Sequence, residues 1–266
     1  MRGWRQIKLS ILPLACVALL PSAASAFQPL VTDDTGTQGA GGNQVEAAYN
    51  RTVDKVSGLK TSSHEMLVGF TRGITDALDI FIGFGRQNIK PDPPATVERS
   101  WVNPVLGAKW RFHENEASKL SLAFKPQIQF PVSKENEARG LGTARVSYGV
   151  GLVLTQEISF GAVHANLLVD RVNYADDALN AAERRTLYQL SVAPVWDVAD
   201  GLKLALDAGL MTNPDITTKA RMGYFELGAI YAPSKDLDLA FGIVRHVMDG
   251  SAHTTQATVG LTWRFR

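Results

Sequence analysis

Apolar and polar residues alternate one by one in many short segments from residue 43 to the end of the chain. Residues 120–130 show this most clearly, because apolar residues occupy every even position while Lys125, Gln127 and Gln129 occupy odd ones. Successive side chains of a β-strand point to opposite faces of the sheet. The segment is therefore predicted to be a strand with one apolar face and one polar face.

About twelve such segments follow one another without a helical repeat or a change in composition, so a single all-β domain is predicted. The predicted strands cover residues 43–52, 61–73, 78–88, 101–112, 118–131, 144–156, 161–171, 184–197, 202–212, 220–232, 237–246 and 254–265. An even number of antiparallel strands in this range is typical of bacterial outer-membrane barrels.

The connections and the aromatic residues favour a barrel that crosses a membrane. Short turns such as residues 198–201 alternate with longer loops such as residues 172–183. Aromatic residues lie at both ends of the apolar faces, for example Trp263 beside a short turn and Tyr49 toward a longer loop, as the two interfaces of a membrane favour. An open sheet edge in hydrocarbon would leave backbone groups unpaired, so the sheet must close. We predict one transmembrane antiparallel β-barrel over residues 43–266, with both termini in the periplasm.

Residues 1–26 are predicted to be a cleaved signal peptide, with a basic start, an apolar run too short to span a bilayer and small residues before Phe27. The only cysteine, Cys16, leaves with this segment. Removing its three basic residues leaves 24 basic residues against 26 acidic ones, a net charge of −2. This balance gives no basic field for nucleic acid. The expected location is the bacterial outer membrane.

Residues 27–42 form a polar, glycine-rich segment without apolar rhythm, which we call the N-terminal arm. If the termini are periplasmic, the arm lies at the lower mouth of the barrel, and two interpretations are open. In one, the arm folds into the lumen through Asp33, Asp34 and Thr35 and narrows it, with the two aspartates meeting Lys109, Arg111 or Arg264 near the same rim. In the other, the arm is an ordinary frayed terminus.

Residues 29–39, PLVTDDTGTQG, followed by GGNQVEAAYNR at residues 41–51, resemble a known family. The family is that of the MetA-pathway of phenol degradation, proteobacterial outer-membrane proteins often described as transporters. The resemblance implies a barrel that admits small, aromatic or hydrophobic compounds. One feature departs from the usual barrel ending that the assembly machinery recognises, because Arg266 follows the aromatic Phe265.

The polar faces of the predicted strands define the wall that a solute meets. The candidate lumen residues are Lys109, Arg111, Lys125, Gln127, Gln129, Arg145, His164, Asn166, Asp207, Glu226 and Arg264. Both signs of charge are present, so a filter made of a ring of one sign is not indicated. A lumen open to solutes and a lumen blocked by its own side chains and arm both fit the pattern.

The predicted function is a channel for passive or gated permeation of small molecules, with no catalytic site, cofactor or metal. His113, His246 and His253 are expected in connections, without metal-ligand spacing. The expected partners are outer-membrane lipid, a small-molecule solute and the barrel assembly machinery.

Two alternatives are kept beside the channel. A lipid hydrolase would use Ser62 and His64, which share an outward face, with Asn88 orienting the imidazole. A surface-recognition barrel would act through its loops.

Overall fold

The computed structural model describes residues 28–56, 59–92, 97–247 and 253–266, together with the side chains of all of these except 56, 59, 91 and 92. The predicted signal peptide, residues 1–26, lies outside this range. The described residues form one antiparallel sheet that closes on itself.

Thirteen strands and two short helices make up the described structure. The strands are β1 (Asn43–Val56), β2 (Leu59–Thr75), β3 (Leu78–Asp92), β4 (Glu98–Trp101), β5 (Val105–Asn115), β6 (Leu120–Gln129), β7 (Ser147–Ile158), β8 (Gly161–Arg171), β9 (Thr186–Ala199), β10 (Leu202–Thr212), β11 (Arg221–Ser234), β12 (Leu237–Val247) and β13 (His253–Phe265). The helices are α1 (Lys134–Glu137) and α2 (Asp177–Ala182), each within a longer loop.

Apart from β4 and β5, strands that are neighbours along the chain pair with each other, and β1 pairs with both β2 and β13. The first and last strands are therefore joined over their full length, from Asn43 opposite Phe265 to Lys55 opposite His253. This pairing leaves the wall without an exposed edge, as a spanning sheet requires. The prediction of a closed, all-β antiparallel barrel with twelve strands in its wall is confirmed.

The thirteenth strand arises because one wall strand is interrupted. β4 and β5 both pair with β3, and residues 102–104 separate them. Pro104 has no N–H to donate to the ladder, and the side chain of Asn103 bonds outside it, to the carbonyl oxygens of Phe130 and Thr143 and to the N–H of Thr143. The single strand predicted at residues 101–112 is therefore two strands that together fill one position in the wall.

The two faces of the wall differ as the alternation predicts. Large apolar side chains are exposed on the outside, where they form a belt that includes Leu206, Phe225 and Val259. Aromatic residues of this outer surface, among them Tyr49, Trp101, Trp110 and Trp263, are about half exposed. Polar residues on the opposite face are buried inside the barrel. None of the helices in the described ranges is long and apolar enough to cross a membrane.

The longer loops contact one another at the end of the barrel opposite to the chain termini. Glu137 of α1 is buried and accepts hydrogen bonds from the N–H groups of Ala144, Ala175 and Asp176. Arg184 donates to the carbonyl oxygens of Asn213, Asp215 and Thr218 in the next loop. These bonds tie three consecutive longer loops into one rim.

Labelling from outside the cell would test which rim faces the exterior. With periplasmic termini, a cysteine at Ala181 in α2 lies outside, and one at Glu116 in a short turn lies in the periplasm; both positions are exposed. We expect Ala181→Cys to react with a membrane-impermeant maleimide on intact cells. Glu116→Cys is expected to react only after the outer membrane has been permeabilised. The reverse pattern would show that the orientation is wrong.

Candidate functional site: the barrel lumen and the N-terminal arm

The arm lies inside the barrel, and it enters at the rim where β1 begins. The N–H of Gly41 donates to the carbonyl oxygen of Gly73 at 3.0 Å, and the N–H of Gly73 donates to Gly42 at 2.9 Å. The arm therefore extends the ladder at the end of β2 before it turns inward. The approach is close, because a Cβ on Gly73 would lie 1.8 Å from the carbonyl oxygen of Gly39, so only glycine fits here.

Along the rim, the arm is held by carboxylates of the turn between β2 and β3 and of β3 itself. Asp76 accepts from the N–H of Ala40 at 3.0 Å. Asp79, almost fully buried, accepts from the N–H of Gln38 through both carboxylate oxygens. Extended backbone inside a barrel has no strand to pair with, so these side chains supply the acceptors that its N–H groups require.

Asp33 is the most heavily bonded residue of the arm. Its two carboxylate oxygens lie 2.9 Å from the Nζ of Lys109 on β5 and 2.7 Å from the Nζ of Lys125 on β6. All three side chains are at most 6 % exposed. Charged groups are rarely buried to this extent unless they are paired. One carboxylate therefore joins the arm to two strands of the wall at once.

Asp34 contributes less to this ion cluster than Asp33. Its Oδ1 lies 3.8 Å from the Nζ of Lys109, which also donates to the carbonyl oxygen of Asp34 at 3.0 Å. Burial raises the pKa of Asp34. The ammonium of Lys109 lowers it, as do His164 and the N–H of Gly36 to a smaller extent, and together these effects outweigh that of burial. The net pKa lies below the ordinary value, so the side chain stays ionised in the arm.

Hydroxyl groups hold the next part of the arm against β6, β7 and β8. The N–H of Thr35 donates to the Oγ1 of Thr155 at 3.1 Å, and the Oγ1 of Thr35 lies 2.5 Å from the Oγ of Ser121. Thr155 is in turn bonded to the Nδ1 of His164 at 2.9 Å. The side-chain amide of Asn166 bonds the backbone of Asp33 when its nitrogen faces the carbonyl oxygen and its oxygen faces the N–H. In this orientation the nitrogen donates to the carbonyl oxygen of Asp33, and the oxygen accepts from its N–H.

Two carboxylates on β10 and β11 bind the arm farther along. Asp207 accepts from the N–H and the hydroxyl of Thr32 at 2.7 and 2.8 Å, and from the hydroxyl of Tyr224 at 2.8 Å. Glu226 accepts from the N–H of Val31 at 3.1 Å. Both carboxylates are almost fully buried. The backbone donors of the arm thus meet acceptors already placed on the wall.

The first described residues of the arm pack on an apolar part of the inner wall. Leu30 is buried against Ala193, Val195 and Ala205 of β9 and β10. Residues 28–30 of the arm pack against three glycines that have no side chain to obstruct them. These are Gly228 on β11, Gly242 on β12 and Gly260 on β13. A Cβ on Gly242 would lie 2.9 Å from Pro29. We call Gly228, Gly242 and Gly260 the glycine row.

The arm consequently follows the inner circumference, from the end of β2 through β3, β5, β6, β7, β8, β9, β10, β11 and β12 to β13. Below it, a cavity of about 820 Å³ opens at the rim that carries the C-terminus. Its lining is mostly polar and includes Glu46, Asp79 and Lys109 beside the arm and the ion pair Arg264–Asp238 at 2.6 Å. A solute entering from this side meets the arm directly above the cavity.

The candidate lumen residues fall into four groups. The arm brings together Lys109, Lys125, His164, Asn166, Asp207 and Glu226. Gln127 and Gln129 lie on the inner face, where Gln127 donates to Asp170 at 3.3 Å and Gln129 is buried. Arg111 and Arg264 lie at the rim, where they pair with Glu114 and Asp238. Arg145 differs, because β7 begins only at Ser147 and Arg145 is exposed in the preceding loop. Its expected place on the inner face of a strand is therefore wrong.

Some expectations about contacts also change. Of the three basic residues expected to meet the two aspartates, Lys109 does so, while Arg111 and Arg264 pair with other acids. Lys125, which was not expected as a partner of the arm, is one. His113, His246 and His253 lie in strands and not in connections.

His246 is a lumen residue that the sequence reasoning missed. It is buried on the inner face of β12, 5.8 Å from the ring of Tyr224, and neither ring nitrogen has a hydrogen-bond partner among the described residues. With Met211, Met222, Tyr224 and Val244 it lines a largely apolar sector beside Val31 of the arm. The alternation along β12 could have identified His246 as a lumen residue, because it has the same parity as the inward-facing Val244.

Ser62, His64 and Asn88 lie on the outer face near the longer loops, as expected from their parity. His64 lies directly opposite Asn88 in the ladder between β2 and β3. Its Nδ1 lies 2.5 Å from the hydroxyl of Tyr49, and the hydroxyl of Ser62 is directed at the carbonyl oxygen of Lys90. These bonds differ from the relay between Ser62, His64 and Asn88 that a hydrolase would need.

Comparison with known proteins places this architecture among outer-membrane barrels. The family model described as "Putative MetA-pathway of phenol degradation" matches residues 28–265. An outer membrane channel from Pseudomonas putida F1 is 14% identical, with a TM-score of 0.72 over 87% of this chain and 98% of that one. The NanC porin is 9% identical, with a TM-score of 0.55 over 82% and 98% of the two chains.

A third solved structure, the KdgM porin in complex with disordered oligogalacturonate, is 10% identical, with a TM-score of 0.50 over 83% of this chain and 99% of that one. No curated protein matches the sequence. At these identities the solved structures show a shared fold. The closed barrel and its apolar outer belt place the chain in the bacterial outer membrane.

Proposed function

The chain belongs to the family of the MetA-pathway of phenol degradation, and on this basis we propose that it is an outer-membrane channel for small solutes whose passage is restricted by its own N-terminal arm. The observation that carries the proposal is the course of the arm inside the lumen, with Asp33 bound to Lys109 and Lys125. A barrel that served only as a membrane anchor would not need charged or hydrogen-bonding partners for the arm on β3, β5 to β8, β10 and β11.

The lining of the lumen supports small amphipathic solutes, in particular uncharged monoaromatic compounds. One sector, around β5 to β8, presents ammonium, amide and hydroxyl groups, including Lys125, Asn166 and Thr155. The opposite sector, around β9 to β12, presents Met211, Met222 and Tyr224. The arm occupies both sectors in this structure. Once it moves aside, a ring with one polar group would find hydrogen bonds on one side and aromatic or thioether contacts on the other.

Two measurements together test the channel. The purified chain is expected to conduct ions in planar bilayers. A strain that lacks the gene is expected to take up a labelled monoaromatic alcohol more slowly than the complemented strain, because lipopolysaccharide-bearing membranes are poorly permeable to such compounds. Absence of conductance combined with unchanged uptake would remove the proposal.

A further inference from the structure

Six basic residues lie close together on the outer face of the barrel, next to the longer loops. They are Arg51 and Lys55 on β1, Lys60 on β2, Arg86 and Lys90 on β3, and Arg99 on β4. All six are exposed. Within the described part of the chain, none of them forms an ion pair or a side-chain hydrogen bond. We call this set the basic patch.

The ladder brings these residues side by side. Lys55 lies directly opposite Lys60, a pairing of like charges that destabilises a sheet unless an anion offsets it. Arg86 lies opposite Met66, and Arg99 lies opposite Asn88. Asp92 lies opposite Lys60 in the ladder between β2 and β3, and no other acidic residue has the outward parity on the described parts of β1 to β4. One acidic residue against six cations leaves most of the counter-charge of the basic patch to come from outside these strands.

Polar groups fill the centre of the basic patch. Arg51 lies opposite His64, Ser62 lies opposite Lys90, and His64 lies opposite Asn88. The Oδ1 of Asn88 is buried and has no hydrogen-bond partner among the described residues. Hydroxyl, imidazole and amide groups surrounded by cations suit a ligand that carries both sugar hydroxyls and phosphates.

The position of the basic patch along the membrane normal points to a lipid. Exposed Tyr49, Met66 and Trp101 lie level with Arg86, because Met66 and Trp101 are its ladder partners and Tyr49 lies opposite Met66. Exposed Phe84 lies two residues farther along β3, toward the middle of the barrel. Aromatic rings at this height mark the interface between headgroups and acyl chains. The other five cations of the basic patch lie just above this level, where the phosphates of membrane lipids are found.

The concentration on β1 to β4 is specific to this side of the barrel. Near the same rim, the outward-facing basic residues of the other strands are single: Arg171 on β8, Arg221 on β11 and Arg245 on β12. Arg171 and Arg245 are further engaged by the hydroxyls of Thr186 and Thr255. A general attraction to anionic membranes would not require six cations within four neighbouring strands.

We propose that the basic patch binds the phosphorylated sugar headgroup of a glycolipid of the outer leaflet. The phosphates lie among Arg51, Arg86 and Arg99, the sugar hydroxyls bond Ser62 and Asn88, and the acyl chains run along the apolar belt below. The site faces lipid and is separate from the lumen, so it does not depend on what the channel transports. It requires the orientation in which the longer loops face the exterior.

The test measures which lipids stay bound to the purified, detergent-solubilised barrel by native mass spectrometry. The probes are diphosphorylated lipid A, the same lipid without phosphates, and phosphatidylglycerol. The variant Arg51→Gln/Arg86→Gln/Arg99→Gln removes three charges of the basic patch, and Arg171→Gln/Arg221→Gln/Arg245→Gln removes three elsewhere on the outer face. We expect the first variant to bind lipid A at least about tenfold more weakly, since each charge at the membrane surface contributes measurably, and the second to bind it like the unchanged chain.

Dephosphorylated lipid A and phosphatidylglycerol are expected to bind weakly to all three proteins. Equal binding of lipid A by the two variants would overturn the proposal, as would binding of phosphatidylglycerol as tight as that of lipid A. Resistance of the barrel to detergent at room temperature checks folding. If the first variant does not fold, Lys55→Gln/Lys60→Gln/Lys90→Gln is used with the same expectation. Labelling of Ala181→Cys from the periplasm would also overturn the proposal, whereas conductance does not bear on it.

Discussion

A chain that lacks residues 28–40 is expected to fold into the same barrel and to conduct several times more current than the full chain. Every strand that the structure describes lies within residues 43–265, so closure does not need the arm. Removing the arm takes its backbone away from the inner faces of β5 to β13 and exposes Asp207 and Glu226 to the lumen. Water can then solvate these carboxylates, so their charges remain tolerable.

The control for this deletion is an arm of the same length in which residues 30–35 are replaced by glycine and serine. This arm still enters the lumen near Gly73, but it has lost Asp33, Thr32 and the apolar contacts of Leu30. We expect its conductance to approach that of the chain without the arm. If the shortened chain is folded, as judged by its circular dichroism and its resistance to detergent, and conducts no more than the full chain, the arm does not restrict passage.

Replacing Asp33 by leucine is expected to release the arm from the wall. The substitution removes the carboxylate that the ammonium groups of Lys109 and Lys125 share at 2.9 and 2.7 Å. Removing one partner from a buried ion pair costs about 3–5 kcal/mol, and a flexible arm avoids this cost by leaving so that water reaches the lysines. Proteolysis followed by mass spectrometry measures the release, with cleavage within residues 28–40 expected in the variant and protection in the unchanged chain.

Asp34 provides the matched control, because it is the adjacent acid and its carboxylate lies 3.8 Å from Lys109. Asp34→Asn is expected to leave the arm protected. A second control combines Asp33→Leu with Lys109→Met and Lys125→Met, which replaces the charges by apolar groups of similar length, and this triple variant is expected to recover much of the protection. Equal protection of Asp33→Leu and Asp34→Asn would show that the ion cluster does not hold the arm.

The wall of the barrel could be predicted from the sequence because the alternation of residues reports directly which side of a strand faces lipid. In β6, for example, Lys125 faces inward for the same reason that Ile128 faces outward. The interruption between β4 and β5 could not be predicted from this pattern. Pro104 contributes locally, since it has no N–H to donate, but the break also depends on Asn103 bonding the backbone of Thr143, a residue in a loop 40 positions away.

The course of the arm was predictable only in part. Its polar composition and its place before β1 suggested the lumen, and the opposite charges suggested Lys109 as a partner of the aspartates. The arm has no periodicity, however, so no rule fixes the register between its residues and the wall. The contact of Asp33 with Lys125 spans 92 positions, and that of Thr32 with Asp207 spans 175, so both depend on how the closed barrel places distant strands around one segment.

The role of the glycine row could not be predicted from the sequence either. Gly228, Gly242 and Gly260 read in the sequence as ordinary small residues on the polar side of their strands. Only the closed structure shows that Gly228 lies opposite Gly242 and that the row accommodates residues 28–30 of the arm. A glycine that receives another segment cannot be distinguished in one sequence from a glycine that relieves crowding within its own sheet.

The central claim is that the arm rests inside the lumen, and disulfide trapping tests it most directly. The hydroxyl oxygens of Thr35 and Ser121 lie 2.5 Å apart, so Thr35→Cys/Ser121→Cys places two sulfurs within bonding reach, and the only native cysteine, Cys16, lies in the predicted signal peptide. In intact cells we predict that the double variant forms this disulfide almost completely, as measured by mass spectrometry of peptides after digestion. The result that would contradict the account is a double variant whose two thiols stay free and react with a maleimide supplied to the periplasm.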